Sequence, residues 1–138
     1  MSVSVGDKIP DWVMERVQPE RMRTMAAILR DPNPVHWDRE SVDKLGFGIG
    51  KRTINQGPLG LSYMLNMLHD WAGPTSVRRV YMTFPQLVLD DYHVTAQGEV
   101  TGVREENGET LADCDIWLYQ EENGKLLVGT AIVCVDGV

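Results

Sequence analysis

The sequence predicts an α+β fold, with helices in the first half of the chain and antiparallel strands in the second. An apolar helical pattern covers residues 57–74, and from Ser76 onward the pattern becomes strand-like. Two Asn-Gly dipeptides, Asn107-Gly108 and Asn123-Gly124, each lie between strand-like runs and indicate hairpins. We therefore expect an antiparallel sheet wrapped around one helix.

The first elements are a strand and a helix. The run IPDWVMERV favours an opening strand, and PERMRTMAAILR favours a helix that begins at Pro19 and reaches Arg30. Its apolar residues recur at helical spacing, which gives one buried face. Pro32 and Pro34 then prevent the helix from continuing.

A short second helix is predicted over DRESVDKL, with Asp38 as its cap and Gly46 at its end. The following GFGIGKRTINQG contains four glycines and predicts a loop. The loop has no phosphate-binding pattern, because no Gly-Lys-Ser/Thr follows at the required spacing.

The helix at GPLGLSYMLNMLHDWAGP is the most apolar of the chain, and Pro58 suits its first position. One broad stripe contains Leu61, Met64, Leu65, Leu68 and Trp71. The other side also carries apolar residues, namely Leu59, Tyr63 and Met67. A helix that is apolar almost all round is usually surrounded by protein.

Four strand candidates follow: SVRRVYMTFP, DYHVTAQGEVTGVRE, ETLADCDIWLYQEE and KLLVGTAIVCV. They are rich in β-branched and aromatic residues. Because the two Asn-Gly dipeptides separate the last three runs, we expect these to form an antiparallel meander.

Composition limits the class of protein. The 138 residues fit a single domain, 1–138, and a hydrophobic fraction of 43% fits a folded core. The net charge of −7 makes nucleic acid an unsuitable partner, because phosphate binding needs clustered Lys and Arg.

Membrane, secretion and metal signals are weak or missing in the sequence. No apolar window approaches the length of a membrane span, and the start MSVSVGDKIPDW lacks the regions of a signal peptide. Cys114 and Cys134 lie in strand-like runs and fit buried free thiols. We expect a cytoplasmic protein without a metal site, since no Cys/His spacing suggests zinc.

The stretch DPNPVHWD, residues 31–38, carries an acid and an imidazole on a proline-rich bend. A carboxylate and an imidazole can hold one water between them, and the prolines limit the entropy lost in placing Asp31 and His36. The alternative is structural: Asp31 could satisfy turn amides, and His36 could be a partly buried histidine near a helix start. Spacing alone leaves both interpretations open.

DPNPVHWD resembles the D-x-N-P-x-H-x-D motif of the MaoC-like, (R)-specific enoyl-CoA hydratases. INQGPLGLSYM supports the resemblance, because it supplies Gln56-Gly57, Leu59 and Ser62 at the family's spacings. The strand order is also similar, so the resemblance covers most of the chain. It implies a hot-dog fold, in which a curved antiparallel sheet wraps a long central helix.

The resemblance implies that the protein adds water to a trans-2-enoyl-CoA thioester, or removes it. Asp31 would act as the base toward water, and His36 would orient the water and return a proton to the second carbon. The amide of Gly57, at the positive end of the apolar helix, would face the thioester oxygen. Coenzyme A would be part of the substrate, and no further cofactor is implied.

Four other residues are candidates for substrate binding. Asn33 lies within the motif, although bracing the turn is its simpler role. Ser62 matches a family position that is often polar, but it could equally satisfy a helix carbonyl. Gln56 precedes Gly57. Arg30 replaces a small residue of the family and could reshape the pocket entrance or pair with substrate phosphates.

Two short runs, DWAGP and GEVTGV, are similar to small MaoC-type subunits of actinobacterial steroid side-chain degradation. That similarity implies a bulky ring system as acyl group and a heteromer with a second hot-dog chain. Hot-dog chains also form homodimers. Two other functions stay open: a non-catalytic subunit that shapes a partner's pocket, and an acyl-CoA thioesterase.

Overall fold

The computed structural model describes residues 2–138; Met1, the first residue of the predicted domain 1–138, lies outside the described residues. The strands and helices follow one another as β1 (Lys8–Met14), α1 (Pro19–Leu29), α2 (Arg39–Lys44), α3 (Gly57–Ala72), β2 (Val77–Thr83), β3 (Val94–Glu106), β4 (Glu109–Gln120) and β5 (Gly124–Cys134). A short 3₁₀ turn, Pro34–His36, lies between α1 and α2.

The five strands form one antiparallel sheet in the order β1-β3-β4-β5-β2. The predicted meander of the last three strands is confirmed. At the first hairpin, Asn107 and Gly108 have φ values of 53° and 80°, as a type I′ turn requires. At the second, β5 begins at Gly124, whose φ is 73°, so three residues rather than two connect the strands.

Helix α3 packs against the sheet and supplies much of the core. The buried residues of α3 are Leu59, Gly60, Tyr63, Met64, Met67 and Leu68. They share one hydrophobic core with buried residues of the sheet, mainly Val94, Ala96, Val100, Ile116, Leu118, Leu127 and Val133. The α+β class and the packing of the sheet on one long helix are therefore confirmed.

The predicted apolar stripe of α3 is only partly right. Met64 and Leu68 are fully buried, but Leu61, Leu65 and Trp71 are only partly buried. Within one chain, protein covers α3 only in part, because the five-stranded sheet packs on one side of the helix. The half-covered side carries Leu61 and Leu65.

The two cysteines are free thiols. Cys114 is buried, and its burial raises the pKa of the thiol to about 12. Cys134 is only partly buried, so the prediction of two buried thiols is right for Cys114 alone. Among residues 2–138, no helix has the length and apolar character needed to cross a membrane.

Candidate active site

The bend that carries the candidate acid begins at the end of α1. Arg30 has a left-handed backbone, with φ 53° and ψ 41°, and its amide bonds back to Ala26 and Ala27. The amide of Asp31 donates to the carbonyl of Ala26 at 2.9 Å. This is a common helix ending, in which the left-handed position is usually glycine. It turns the chain sharply and projects Asp31 away from the helix.

Two short hydrogen-bonded turns then hold the bend. The Oδ1 atom of Asp31 accepts from the amide of Asn33 at 3.1 Å, and the Oδ1 atom of Asn33 accepts from the amide of Val35 at 3.3 Å. Such side-chain turns suit Asp and Asn beside proline. Asn33 therefore braces the bend, and one oxygen of Asp31 remains for other partners.

That second oxygen faces the imidazole. The Oδ2 atom of Asp31 lies 3.3 Å from Nε2 of His36, and the side chains are 38% and 14% exposed. The Nδ1 atom of His36 lies 2.7 Å from the carbonyl oxygen of Ile54. A spacing of five residues across two prolines thus brings the acid and the imidazole together, as the catalytic interpretation of the motif requires.

The contact with Ile54 assigns the proton on the ring. A carbonyl oxygen can only accept, so Nδ1 carries the hydrogen and donates it to Ile54. In the neutral ring Nε2 is then an acceptor, as is the carboxylate of Asp31. Two acceptors at this separation repel unless a hydrogen lies between them or a water donates to both. The geometry of the pair therefore allows it to hold a proton or a water.

Thr53, the residue before Ile54, is held by a buried carboxylate that the sequence did not reveal as part of the site. The Asp90 side chain is fully buried, and its Oδ2 atom accepts from the amide and hydroxyl of Thr53 at 2.9 and 2.6 Å. Arg39 donates to the same oxygen at 3.1 Å. The amide of Ile54 in turn donates to Val35 at 2.8 Å. Asp90 thereby ties the loop before α3 to the turn that carries His36.

Burial raises the pKa of Asp90, but the hydrogen bonds from Thr53 and the charge of Arg39 outweigh it, and the pKa lies below the ordinary value of 3.8. A carboxyl group with a lowered pKa in the folded state stabilises that state fully above the pKa of the unfolded chain. This contribution is lost as the pH falls through the pKa of the folded state.

We predict that Asp90→Asn lowers the free energy of unfolding by about 2 kcal/mol at neutral pH, because an amide replaces a buried, multiply bonded carboxylate. The difference from the wild type should shrink toward about pH 3, where the wild type loses the same contribution. Urea unfolding at both pH values measures it. A difference that grows toward acid would contradict this account of Asp90.

The amide of Gly57 lies on the other side of the site. Gly57 is the first residue of α3, and among residues 2–138 its N–H has no hydrogen-bond acceptor. The preceding Gln56 is buried and donates from Nε2 to the carbonyl of Met22 at 2.8 Å, which fixes the start of α3 against α1. Gln56 thus positions Gly57 through its side chain. The Oε1 atom of Gln56 is also buried, and among residues 2–138 it has no hydrogen-bond partner.

Phe84 lies over Gly57. A Cβ atom at position 57 would lie 3.2 Å from Cε1 of the Phe84 ring, so glycine leaves the space between the amide and the ring. The Phe84 side chain is exposed, which allows the ring to shift. No sequence signal pointed to Phe84, because it follows β2 and is distant from the motif.

The acid and the imidazole each line a cavity. One, of about 210 Å³, is lined by His36, Gln56, Gly57, Gly60, Phe84 and Leu127, among others. The other, of about 500 Å³, is an open groove lined by Arg23, Ala26, Ala27, Arg30, Asp31, Pro32 and Trp37. We call this second cavity the α1 groove. His36 therefore lines the first cavity, and Asp31 lines the α1 groove.

The two remaining candidates are Ser62 and Arg30. The hydroxyl of Ser62 donates to the carbonyl of Leu59 at 2.5 Å, within α3. It does not line either cavity, although its oxygen can still accept a hydrogen bond. Arg30 lines the α1 groove. Asp38 caps α2, and its Oδ1 atom accepts from the amide of Glu40 at 3.2 Å, as the sequence predicted.

The sheet order, the long helix across the sheet and the short helices before it define the hot-dog class of α+β domains. Residues 4–114 match the family described as MaoC like domain. The match covers most of the sequence, so the chain belongs to the MaoC-like family. Comparison with curated protein sequences gives no match.

Solved structures agree with this assignment. The (R)-hydratase from A. caviae involved in PHA biosynthesis is 26% identical, with a TM-score of 0.84 over 97% of this chain and 98% of that chain. A chain of the ChsH1–ChsH2 complex from Mycobacterium tuberculosis is 22% identical, with a TM-score of 0.81 over 98% and 99%. The R-hydratase PhaJ1 from Pseudomonas aeruginosa is 18% identical, with a TM-score of 0.82 over 96% and 82%. The family and the first of these neighbours support hydratase or dehydratase activity in general.

Proposed function

We propose that the protein is an enoyl-CoA hydratase, which adds water to a trans-2-enoyl-CoA thioester or catalyses the reverse dehydration. The observation that carries the proposal is the 3.3 Å contact between Nε2 of His36 and Oδ2 of Asp31, with Nδ1 held by Ile54. The contact leaves two acceptors that a single water can satisfy with its two hydrogens. Membership in the MaoC-like family supports the same chemistry.

The proposed step begins with that water. Its oxygen forms a bond to the third carbon of the acyl chain, and the π electrons of the double bond move toward the thioester carbonyl. Asp31 acts as the base and accepts the proton that the water loses, and it passes this proton to Nε2 of His36, 3.3 Å away. The proton then passes from His36 to the second carbon, which restores the thioester. No atom is left unbalanced, and no metal or oxidant is required.

The charge that develops on the thioester oxygen needs a donor. Gly57 supplies its free N–H at the leading end of α3, where the helix dipole is positive. The other cavity-lining residues near Gly57 are mainly apolar, including Phe84 and Leu127, so the hydrogen bond would form away from bulk water. Hydrogen bonds directed at developing charge are among the largest contributions to catalysis.

The test is a panel of trans-2-enoyl-CoA thioesters, from crotonyl-CoA to a steroid thioester, with the purified protein. Hydration removes the absorbance of the conjugated enoyl thioester, and it should proceed without release of free thiol. Thiol release without hydration would instead identify a thioesterase. If no thioester on the panel is hydrated or hydrolysed, the proposal that this chain is a hydratase without a different partner chain fails.

The partially covered side of α3 and the free edge of the sheet favour an oligomer as the active form. Among residues 2–138, strand β2 pairs only with β5, and Tyr81 of β2 is exposed, as is Phe84 after it. We propose that a second hot-dog chain, identical or different, covers these surfaces. Native mass spectrometry of the purified protein should give a mass of at least two chains. A single-chain mass with full hydratase activity would refute this part.

A further inference from the structure

The cavity of about 210 Å³ at the start of α3, which we call the α3 cavity, is lined by three amide side chains, Asn55, Gln56 and Gln86. The NH₂ group of Gln56 donates to the carbonyl of Met22 at 2.8 Å. That of Gln86 donates to two carbonyls of the β4–β5 hairpin, both at 3.0 Å. Asn55 differs from both, because neither its Nδ2 nor its Oδ1 atom has a hydrogen-bond partner among residues 2–138.

The unpaired amide of Asn55 is buried. The residue is only 6% exposed. A buried amide that has lost its water without gaining another partner destabilises the folded chain, so native proteins seldom leave one unbonded. Its partner is then either a bound water or a polar group of a ligand that enters the α3 cavity.

The Nδ2 atom of Asn55 lies beside Gly60, which also lines the cavity. A Cβ atom at position 60 would lie 3.6 Å from this Nδ2 atom and 2.8 Å from Cδ1 of Leu127. Because glycine has no side chain, the flexible end of Leu127 occupies this space, and its rotation makes room for a ligand atom beside Nδ2. Gly60 follows Gly57 by three residues, about 4.5 Å along the helix axis. A group bound by Asn55 would therefore lie a few bonds beyond a carbonyl bound by Gly57.

The hydroxyl of Tyr63 complements the oxygen of the Asn55 amide. Tyr63 is buried, and its hydroxyl has no partner in the described part of the chain. Burial raises the pKa of Tyr63, and the nearby side chain of Asn55 offsets part of that increase. A tyrosine hydroxyl donates to an amide oxygen, so a small rotation joins Tyr63 to Oδ1 of Asn55. Nδ2 then remains as a donor, which selects a ligand group that accepts.

We propose that the α3 cavity binds a short acyl group with an oxo oxygen on its fifth or sixth carbon, and that Nδ2 of Asn55 donates to this oxygen. The assignment rests on the proposed function, because it places the thioester carbonyl at Gly57. An oxo group fits better than a hydroxyl, whose own hydrogen would meet an Oδ1 atom already bonded to Tyr63. The volume of about 210 Å³ favours a short acyl group, because pockets for drug-sized ligands measure about 300–1,000 Å³.

Calorimetry with saturated thioesters measures the preference without turnover. The probes carry an oxo group on the fifth carbon of hexanoyl-CoA or on the sixth carbon of heptanoyl-CoA, and each control carries a methyl group at the same carbon, which preserves the shape. The wild type should bind one of the oxo thioesters about tenfold more tightly than its methyl control. Asn55→Leu should remove that preference and keep the affinity for the methyl thioesters. The same change at Asn66, an exposed asparagine of α3 outside the cavity, should leave the preference intact.

The trans-2-enoyl thioesters of the heptanoyl pair are then compared by the ratio of their kcat/KM values, which should follow the binding preference. Equal binding of the oxo and methyl thioesters by the wild type would overturn the proposal and would make water the partner of Asn55. A preference that survives in the Asn55→Leu variant would also overturn it, because another group would then bind the oxo oxygen. The comparison within the wild type holds even if that variant does not fold.

The two proposals fail in different ways. A binding preference without hydration would sustain the role of Asn55 and refute only the hydratase proposal. Hydration of both heptenoyl thioesters without any preference would refute only the role of Asn55.

Discussion

Replacing Asp31 by Asn is expected to lower kcat/KM for enoyl-CoA hydration by about a thousandfold. The amide cannot accept the water proton, and its N–H₂ group can donate to Nε2 of His36 and displace the water. The change keeps the size of the side chain, and the acceptor for the Asn33 amide can be retained by the amide oxygen. The loss of enoyl absorbance, followed under single-turnover conditions, measures the effect.

Asp38→Asn is the matched control, because Asp38 is the other acid of the same motif and caps α2 instead of contacting His36. Asn is as good a cap as Asp, so activity and stability should change little. Equal activity of the Asp31→Asn variant and the wild type would exclude Asp31 as the base. A large loss in the Asp38→Asn variant would show that the motif acts through its fold rather than through the pair.

Replacing Gly57 by Pro is expected to lower kcat by a factor of 10² to 10³, the usual effect of removing one oxyanion donor. Proline lacks the N–H and suits the first position of a helix. Gln56 has φ −61° and ψ 142°, a conformation that a residue before proline adopts readily. The substitution should therefore remove the donor with little change in the fold, as circular dichroism and thermal unfolding would verify.

Gly57→Ala separates the donor from the space that glycine provides. Alanine retains the N–H and adds only the Cβ atom that meets Phe84 at 3.2 Å, and the exposed ring can move by the few tenths of an ångström required. We expect the alanine variant to keep most of its kcat. If the alanine and proline variants lose equal activity, the amide of Gly57 is not the donor to the thioester.

Much of the fold followed from local sequence signals. Prolines 19, 32 and 34 placed the start of α1 and the bend after it, and Asp38 placed the start of α2. Asn107-Gly108 placed the first hairpin, because a type I′ turn needs left-handed backbones at both positions. These features depend on a few adjacent residues, so a single sequence reveals them.

The site was only partly visible in the sequence. Asp31 and His36 lie within one short motif; their spacing alone did not decide whether they meet, and the resemblance to the hydratase motif implied that they do. Ile54, Thr53 and Asp90 fix the imidazole from 17 to 54 residues further along the chain, and no local pattern links them to it. The pairing of the loop before α3 with the segment before β3 is a tertiary contact, which periodicity does not report.

The stripe of α3 illustrates the same limit. Hydrophobicity identified the helix but could not decide which side meets the chain's own sheet and which side remains half-covered, because both sides are apolar. Leu61 and Leu65 are therefore partly buried although they belong to the predicted stripe. An apolar surface that contacts another chain has the same sequence pattern as a surface that is buried in the chain's own core.

The most direct test of the central claim is a crystal structure of the Asp31→Asn variant with a bound trans-2-enoyl-CoA thioester. We predict that the thioester oxygen accepts a hydrogen bond from the amide of Gly57, and that the third carbon lies in van der Waals contact with the space between residue 31 and His36. A thioester bound with its third carbon remote from His36, or with its oxygen turned away from the start of α3, would contradict the account.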